Sequence, residues 1–522
     1  MKNTERSKGK KSMMQMIREN RIGTVAWLLQ LTGSILLMIF VLQSGLLLGS
    51  YLAIIAAGMV ILLAATAAGS LFSQKKTMQY VFATACLLIC AVLLVVGVYV
   101  KKTSNTLSEI SDNRGEVTLV SVYVFDKDQA QHVKDAADYD FGILDSLDRE
   151  NTEQALAMLE KDVNQKIKTV TADSITSVAD EMMDDEVQAI VMNEAYMEIL
   201  SEWEEEGSET RSSQERDYSA FVSSLRRIAT YEIKSSRQEK TAIDEEQFIL
   251  YISGIDTWGD ISTRSRSDVN IMAVVNTESR QLLLVTTPRD YYVPLSVSDG
   301  VRDKLTHAGI YGVQCSVDTL SMLYDIEIDY YFRVNFSGFE KIIDALGGIT
   351  VWSDYEFHVE PDFDYGKGEN ELNGIEALAF ARERYTLPGG DAARAQNQMN
   401  VIISVADKLT SAALLTNYAG ILDSLDGTFE TDMPYDALAA LVRQQLLDGG
   451  EWDTITYAVS GTSSMAGTYS MGNTQLYVIE PDQKTLDRAK MLIRKVQAGE
   501  TITDADLSDI PKSVGDEVDG GE

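Results

Sequence analysis

No Asp, Glu, Lys or Arg occurs between Arg21 and Lys75. A bilayer crossing takes about 20 apolar residues, so this run is too long for one span. It divides at Gln43-Ser44-Gly45 into a span near Thr24–Leu42 and another near Tyr51–Phe72. A third apolar run, Tyr80–Val100, follows the polar loop Ser73–Gln79. The expectation is three transmembrane helices over 24–100, with the Gly and Ala of Ala56–Gly69 suited to close helix packing in lipid. A cleaved signal peptide does not fit, because the apolar region is too long and recurs.

The positive-inside rule sets the orientation. The basic arm over 1–23 (Lys2, Arg6, Lys8, Lys10, Lys11, Arg18, Arg21) and the loop lysines Lys75 and Lys76 belong in the cytoplasm. Lys101 and Lys102 weigh the other way, but the heavier arm agrees with the parity of three crossings. A multi-pass membrane protein is expected, with everything after Lys102 extracellular. Cys86 and Cys90 lie one helical turn apart in the third span, as packing residues would, and Cys315 stands alone in the soluble part. An outside domain without a disulfide framework fits a bacterial surface. His132, His307 and His358 show no metal-ligand spacing, and His307 reads as a surface or packing residue.

Residues 101–115 read as a polar stalk and 116–240 as a small accessory α/β domain. There Glu116–Phe125 alternates like a strand, Val187–Met192 is a short apolar run, and Asn151–Val163 and Ala195–Trp203 read as helices. Glu204–Asp217 reads as a loop and Ser235–Glu246 as a linker; Asp184, Asp185 and Glu204–Glu206 read as a solvated face rather than a calcium site. In 247–500, the segments Phe248–Ser253, Val269–Val275, Leu282–Thr286 and Asp329–Val334 read as strands. Val313–Leu323, Phe336–Leu346, Gly374–Arg382 and Gln396–Leu414 read as helices, with Gly347-Gly348 as a helix stop. The expected fold is α/β, a mixed sheet flanked by helices on both faces. The acidic tail over 504–522 is expected to be disordered.

The formal net charge is −34, so a gathering of arginines calls for an anion to hold. Arg266, Arg289, Arg382, Arg384 and Arg394 share one segment with Asp256, Asp268 and Asp391. Guanidinium suits phosphate oxygens, and paired aspartates suit the hard divalent cation that phosphates bring with them. Singly, each piece has a duller meaning. Arg382-Glu383-Arg384 makes an ordinary solvated helix end, Asp290 is an ion partner for Arg289, and Lys304 either touches phosphate or solvates a loop. The joint occurrence with Gln398 favours a metal-assisted phosphate site. Net charge and the expected outside location weigh against nucleic acid as a partner, since a phosphate-backbone binder needs a basic face.

The strings LYISGIDT, RSD (Arg266–Asp268), TTPRDYYV, GFEKIIDALGGITV, LNGIEALAFARER and GGDAARAQNQ together resemble the LytR–CpsA–Psr family over about Gln247–Ser411. Three amino-terminal spans and a module before the catalytic domain resemble its CpsA-like branch. The resemblance implies an extracytoplasmic phosphotransferase of Gram-positive bacteria. Such an enzyme moves a capsular or teichoic-acid type glycopolymer from undecaprenyl pyrophosphate to peptidoglycan, using magnesium, with manganese as a substitute. It implies metal binding by Asp256 and Asp268, and a pyrophosphate lined by Arg266, Arg289, Arg382, Arg384, Arg394 and Gln398. Asp391 matches an acidic position near the head group and is the expected proton acceptor; Arg266, Asp268 and Asp391 form the expected catalytic set, with Lys304 a further phosphate contact. Asn397 departs from the pattern, since many members carry arginine there. An apolar slot for the prenyl tail is expected between sheet and helices, with Val274, Phe339, Ile342 and Ile343 as lining or plain core. A lipid-pyrophosphate hydrolase and a non-catalytic regulator are the competing readings.

Overall fold

The computed structural model describes residues 20–45, 49–71, 75–111, 116–201, 216–235, 247–258, 260–410, 427–438, 441 and 452–507. It forms two units, Met1–Glu109 with Tyr435–Gly449, and Ile110–Pro434 with Gly450–Glu522.

The first unit holds helices α1 (Arg21–Gln43), α2 (Gly49–Ser70) and α3 (Lys76–Ser111). Each is long and apolar enough to cross a membrane. Their contacts are those of close-packed spans. Trp27 Nε1 donates to Leu63 O at 3.0 Å, and a Cβ on Gly69 would lie 2.2 Å from the Phe82 ring. Cys86 is fully buried and Cys90 Sγ donates to Leu29 O at 3.3 Å, so both cysteines serve helix packing. Tyr435 donates to Ser44 O at 2.6 Å within this unit.

The second unit begins with a five-stranded sheet of order β3-β2-β4-β1-β5. Its elements are β1 (Val117–Phe125), β2 (Asp140–Leu144), α4 (Arg149–Val163), β3 (Lys168–Ala172), α5 (Ile175–Met183), β4 (Ala189–Asn193), α6 (Glu194–Ser201), α7 (Tyr218–Ser223) and β5 (Leu225–Lys234). Strand alternation sends Ala189 and Val191 to a core shared with α4, and Ile190 and Met192 to a core shared with α5, α6 and α7. A sheet buried on both faces needs apolar residues at successive positions, which is why Val187–Met192 reads as a continuous run.

The second sheet has order β16-β11-β6-β7-β8-β17. Its core strands are β6 (Gln247–Ile255), β7 (Ser267–Asn276), β8 (Gln281–Thr286) and β11 (Tyr330–Asn335). β6 and β7, and β7 and β8, run antiparallel, whereas β11 is parallel to β6. The short pair β9 (Tyr292–Pro294) and β10 (Arg302–Lys304) and helix α8 (Val313–Tyr324) follow β8, and α9 (Phe336–Ala345) follows β11. Gly347 and Gly348, with φ of 75° and 83°, end α9 in the left-handed region as expected. The two-stranded sheets of β12 (Ile349–Ser353) with β15 (Gly368–Leu372), and of β13 (Phe357–Val359) with β14 (Phe363–Tyr365), lead into α10 (Gly374–Arg382) and α11 (Asp391–Thr410). The chain then adds β16 (Phe429–Thr431), β17 (Asp453–Ala458), the hairpin β18 (Gly461–Thr468) and β19 (Gly472–Pro481), α12 (Gln483–Gln497) and α13 (Asp504–Leu507). On one face Tyr251, Met272, Val274, Leu283 and Val285 pack under α8 and α12. On the other, Ile271, Ala273 and Leu284 meet Met399, Ile402 and Ile403 of α11. The fold is the expected mixed α/β sheet with helices on both faces.

Several boundaries differ from expectation. Helix α3 runs on to Ser111, so most of the expected stalk is helical; 101–111 holds no Gly or Pro, and an established helix propagates easily. Helix α11 starts at Asp391 rather than Gln396, because its first turn, Asp-Ala-Ala-Arg-Ala, carries no large apolar residue from which a stripe could be read. The start of the expected disordered tail, Asp504–Leu507, is helical. There Asp506 bonds Lys495 at 2.6 Å and Thr503, which hold its carboxyl down at about 2. β5, with a basic or acidic residue at four of its positions, is an edge strand that periodicity does not reveal. Val274 lies in the core under α8 and α12 whereas Phe339, Ile342 and Ile343 pack with α10 and α11, so these four do not line one slot. The 204–215 loop, the 236–246 linker and the tail from 508 lie outside the described residues.

Candidate active site

The site residues collect at one end of the second sheet. β6 ends at Ile255 and leads directly to Asp256, β7 starts at Ser267, and β8 ends at Thr286, three residues before Arg289. In the antiparallel β6–β7 pair these ends are adjacent. The register there jumps from Gly254↔Val269 to Ile255↔Ser267, leaving Asp268 without a partner. Such a β-bulge re-aims the side chain of the extra residue. It turns Asp268 toward Arg289, whose Nη1 donates to Oδ2 at 3.0 Å, while Thr306 Oγ donates to Oδ1 at 3.1 Å. Burial raises the proton affinity of Asp268, but Arg289, Arg266, the Thr306 hydroxyl and Arg394 outweigh it and hold the carboxyl below its ordinary value. Asp268 is therefore a carboxylate at neutral pH.

Arg289 is braced from behind. Its Nε lies 3.5 Å from Asp290, and Asp290 lies 3.3 Å from Lys304 Nζ. Asp290 thus does pair with Arg289, and Lys304, only 2 % exposed, backs that pair instead of solvating a loop. Arg266 Nη2 is 3.9 Å from Asp256, and its Nε is 4.0 Å from Glu198 of the accessory module. Asp268 thus contacts Arg289 directly and also feels the charge of Arg266.

Helices α10 and α11 bring the remaining residues. Gln398 Nε2 donates to Ala381 O at 3.3 Å and Asn397 Nδ2 to Phe380 O at 3.4 Å, tying the two helices together. Arg394 lies one turn before Gln398 and acts electrostatically on Asp268. Arg382 lies over the Phe336 ring at 4.3 Å, and Phe336 N–H donates to Thr257 O at 3.2 Å, which places Arg382 beside the Asp256 loop. Arg384 turns to its neighbour, with Nη2 donating to the Tyr385 hydroxyl at 2.5 Å. The Asp391 side chain lies outside the described residues; its backbone opens α11. His307 bonds Asp303 at 2.7 Å and Ser470 at 3.0 Å and is a buried structural residue.

For a metal, the available donors are the carboxylates of Asp256 and Asp268, 30 % and 23 % exposed. Among the described residues no three acidic, His or Cys side chains form a closed metal cage. Two reachable carboxylates, one of them held ionised, fit magnesium bound jointly with phosphate oxygens, because this ion keeps few protein ligands. Sequence reasoning missed Thr306 and Glu198: a lone threonine carries no signal, and Glu198 comes from another domain.

The LytR_cpsA_psr family model matches residues 218–491. TagU of Bacillus licheniformis, named polyisoprenyl-teichoic acid–peptidoglycan teichoic acid transferase, is 32% identical over 209 residues, covering 39% of this chain and 67% of that protein. The protein of the same name from Enterococcus faecalis is 33% identical over 211 residues, covering 40% and 69%. The crystal structure of B. subtilis TagV matches at 26% identity with a TM-score of 0.42, over 50% of this chain and 100% of that one.

Proposed function

Because this chain belongs to the LytR_cpsA_psr family, we propose that it is a membrane-held transferase moving a teichoic-acid or capsular glycopolymer from a polyprenyl pyrophosphate carrier to peptidoglycan. The observation that carries this reading is the convergence of Asp256, Arg266, Asp268, Arg289 and Arg394 at one end of the sheet. The catalytic unit faces the outside of the cell, the side on which peptidoglycan lies.

The acceptor hydroxyl attacks the phosphorus that bears the polymer, and the bond to the lipid-side phosphate breaks. Undecaprenyl phosphate leaves and a phosphodiester to the glycan forms. Arg266, Arg289 and Arg394 bind the pyrophosphate and spread the charge that builds on the leaving phosphate. Arg382 at the end of α10 and Gln398 of α11 are assigned to the same region, and Arg384, in the loop after α10, would have to turn from Tyr385 to join them. Asp256 and Asp268 would hold magnesium, which would supply further positive charge to the pyrophosphate. Asp391 is assigned to accept the hydroxyl proton. For the prenyl tail, the sheet face under α11 is better suited than the residues first expected: Leu250, Ile252, Val269, Leu282, Ile402 and Ile403 are apolar and only partly buried there.

The test is product analysis with a lipid-pyrophosphate-linked polymer and peptidoglycan as substrates. Polymer joined to glycan supports transfer. Free polymer phosphate with water as the only acceptor supports the hydrolase, and no turnover supports the regulator.

A further inference from the structure

The loop carrying Asp256 and Arg266 is fastened largely by the accessory module. Val117, the first residue of β1, donates to Ser262 O at 2.9 Å and accepts from Arg264 N–H at 3.1 Å. Thr263 thereby forms a parallel bridge to β1. Glu116 reaches the same loop, with Oε2 3.2 Å from Arg264 Nε. Its other oxygen accepts from Arg333 Nη1 at 2.7 Å and from Val313 N–H at 2.9 Å. From α6, Glu198 Oε2 accepts from Ser265 Oγ at 3.3 Å and lies 4.0 Å from Arg266 Nε. The Arg266 side chain is 6 % exposed and stands between Asp256 of its own domain and Glu198 of the module.

We propose that Glu198 is a positioning residue for pyrophosphate binding: the module supplies the carboxylate that orients the Arg266 guanidinium, so the phosphate site is complete only with the module docked. This rests on the transferase reading above. An arginine ordered before its ligand arrives has less freedom to lose on binding. Two effects oppose each other when the Glu198 charge is removed. Phosphate loses a repulsive neighbour, but that neighbour is 43 % exposed and screened by water. Arg266 loses the carboxylate that faces its Nε in a nearly buried site, and this effect dominates. On the Glu198 side the contact is open to water and is 4.0 Å long, and such pairs add little to folding stability. Binding and stability are therefore separable.

The experiment uses the full-length chain in detergent with magnesium, and geranylgeranyl pyrophosphate as the calorimetric probe. Glu198→Gln should weaken probe binding roughly five- to tenfold and raise KM for the lipid-linked donor equally, with kcat within about twofold. Its Tm should stay within about 2 °C of wild type, and Glu198→Asp should recover part of the affinity. Wild-type or tighter binding by Glu198→Gln overturns the proposal. So does an equal loss in both variants accompanied by a fall in Tm, which would mark a purely structural contact. If the wild-type chain itself fails to bind the probe, the transferase reading fails and the positioning role falls with it.

Discussion

Asp268 meets Arg289 at 3.0 Å and Thr306 at 3.1 Å because a bulge turns it out of the β6–β7 ladder. Its carboxyl is held below the ordinary value of 3.8, so its contribution to stability is complete above that pH and is lost as pH falls through the lower folded value. The stability difference between wild type and Asp268→Asn should then stay constant from neutral pH down to about 5 and close only in stronger acid, as thermal melts across pH would show. The same variant should lose the magnesium-dependent gain in pyrophosphate affinity, read by titration with and without chelator. Arg394 offers the cleaner test of the clamp, since Arg289 also braces Asp290. Arg394→Ala should reduce transfer by about 10- to 100-fold, the loss of one or two charge-assisted contacts, and leave Tm near wild type. Arg394→Lys should recover little, because a point charge cannot reproduce the guanidinium fork. Full activity in the Lys variant would remove Arg394 from the clamp.

β11 shows what element-level reading achieves and where it stops. Its period-2 pattern is legible, and the strand forms with Arg333 in it. The pattern does not say that Arg333 is fully buried between Glu116, at the entry to β1, and Glu430 of β16. Burial favours its neutral form, but the two carboxylates outweigh that and raise its pKa above the ordinary value. Arg333→Ala would leave both carboxylates buried without their cation. It should cost about 3–5 kcal/mol in urea unfolding, far more than an exposed pair would. A change below about 1 kcal/mol would mean the cluster contributes little to holding β1 against the catalytic sheet.

For the whole molecule, three apolar helices make this a membrane protein, and the basic arm sets the expected direction of insertion. A reporter fused after Glu522 should behave as extracytoplasmic and one placed near Lys75 as cytoplasmic. A carboxyl-terminal reporter active only in the cytoplasm would overturn the surface-enzyme reading. The accessory module and the catalytic sheet fall in one compact unit, with Glu116 and Glu198 of the module in contact with residues of the catalytic domain.

The charge-free run and the apolar alternation of 247–411 were enough by themselves to determine three spans and a mixed sheet between helices. Hydrophobic periods are local properties of the chain. Asp256, Arg266, Asp268, Arg289 and Arg394 were also legible as a set, because arginines and aspartates gathered in so acidic a chain, within motifs of fixed order, stand out without any knowledge of the fold. Tertiary structure alone decided which acid meets which arginine. The bulge gives Asp268 to Arg289, Asp290 is shared with Lys304, and Glu198 arrives from a domain nearly seventy positions upstream of Arg266. Such partners come from segments distant in sequence, and a buried charge takes whichever counter-charge packing brings within reach.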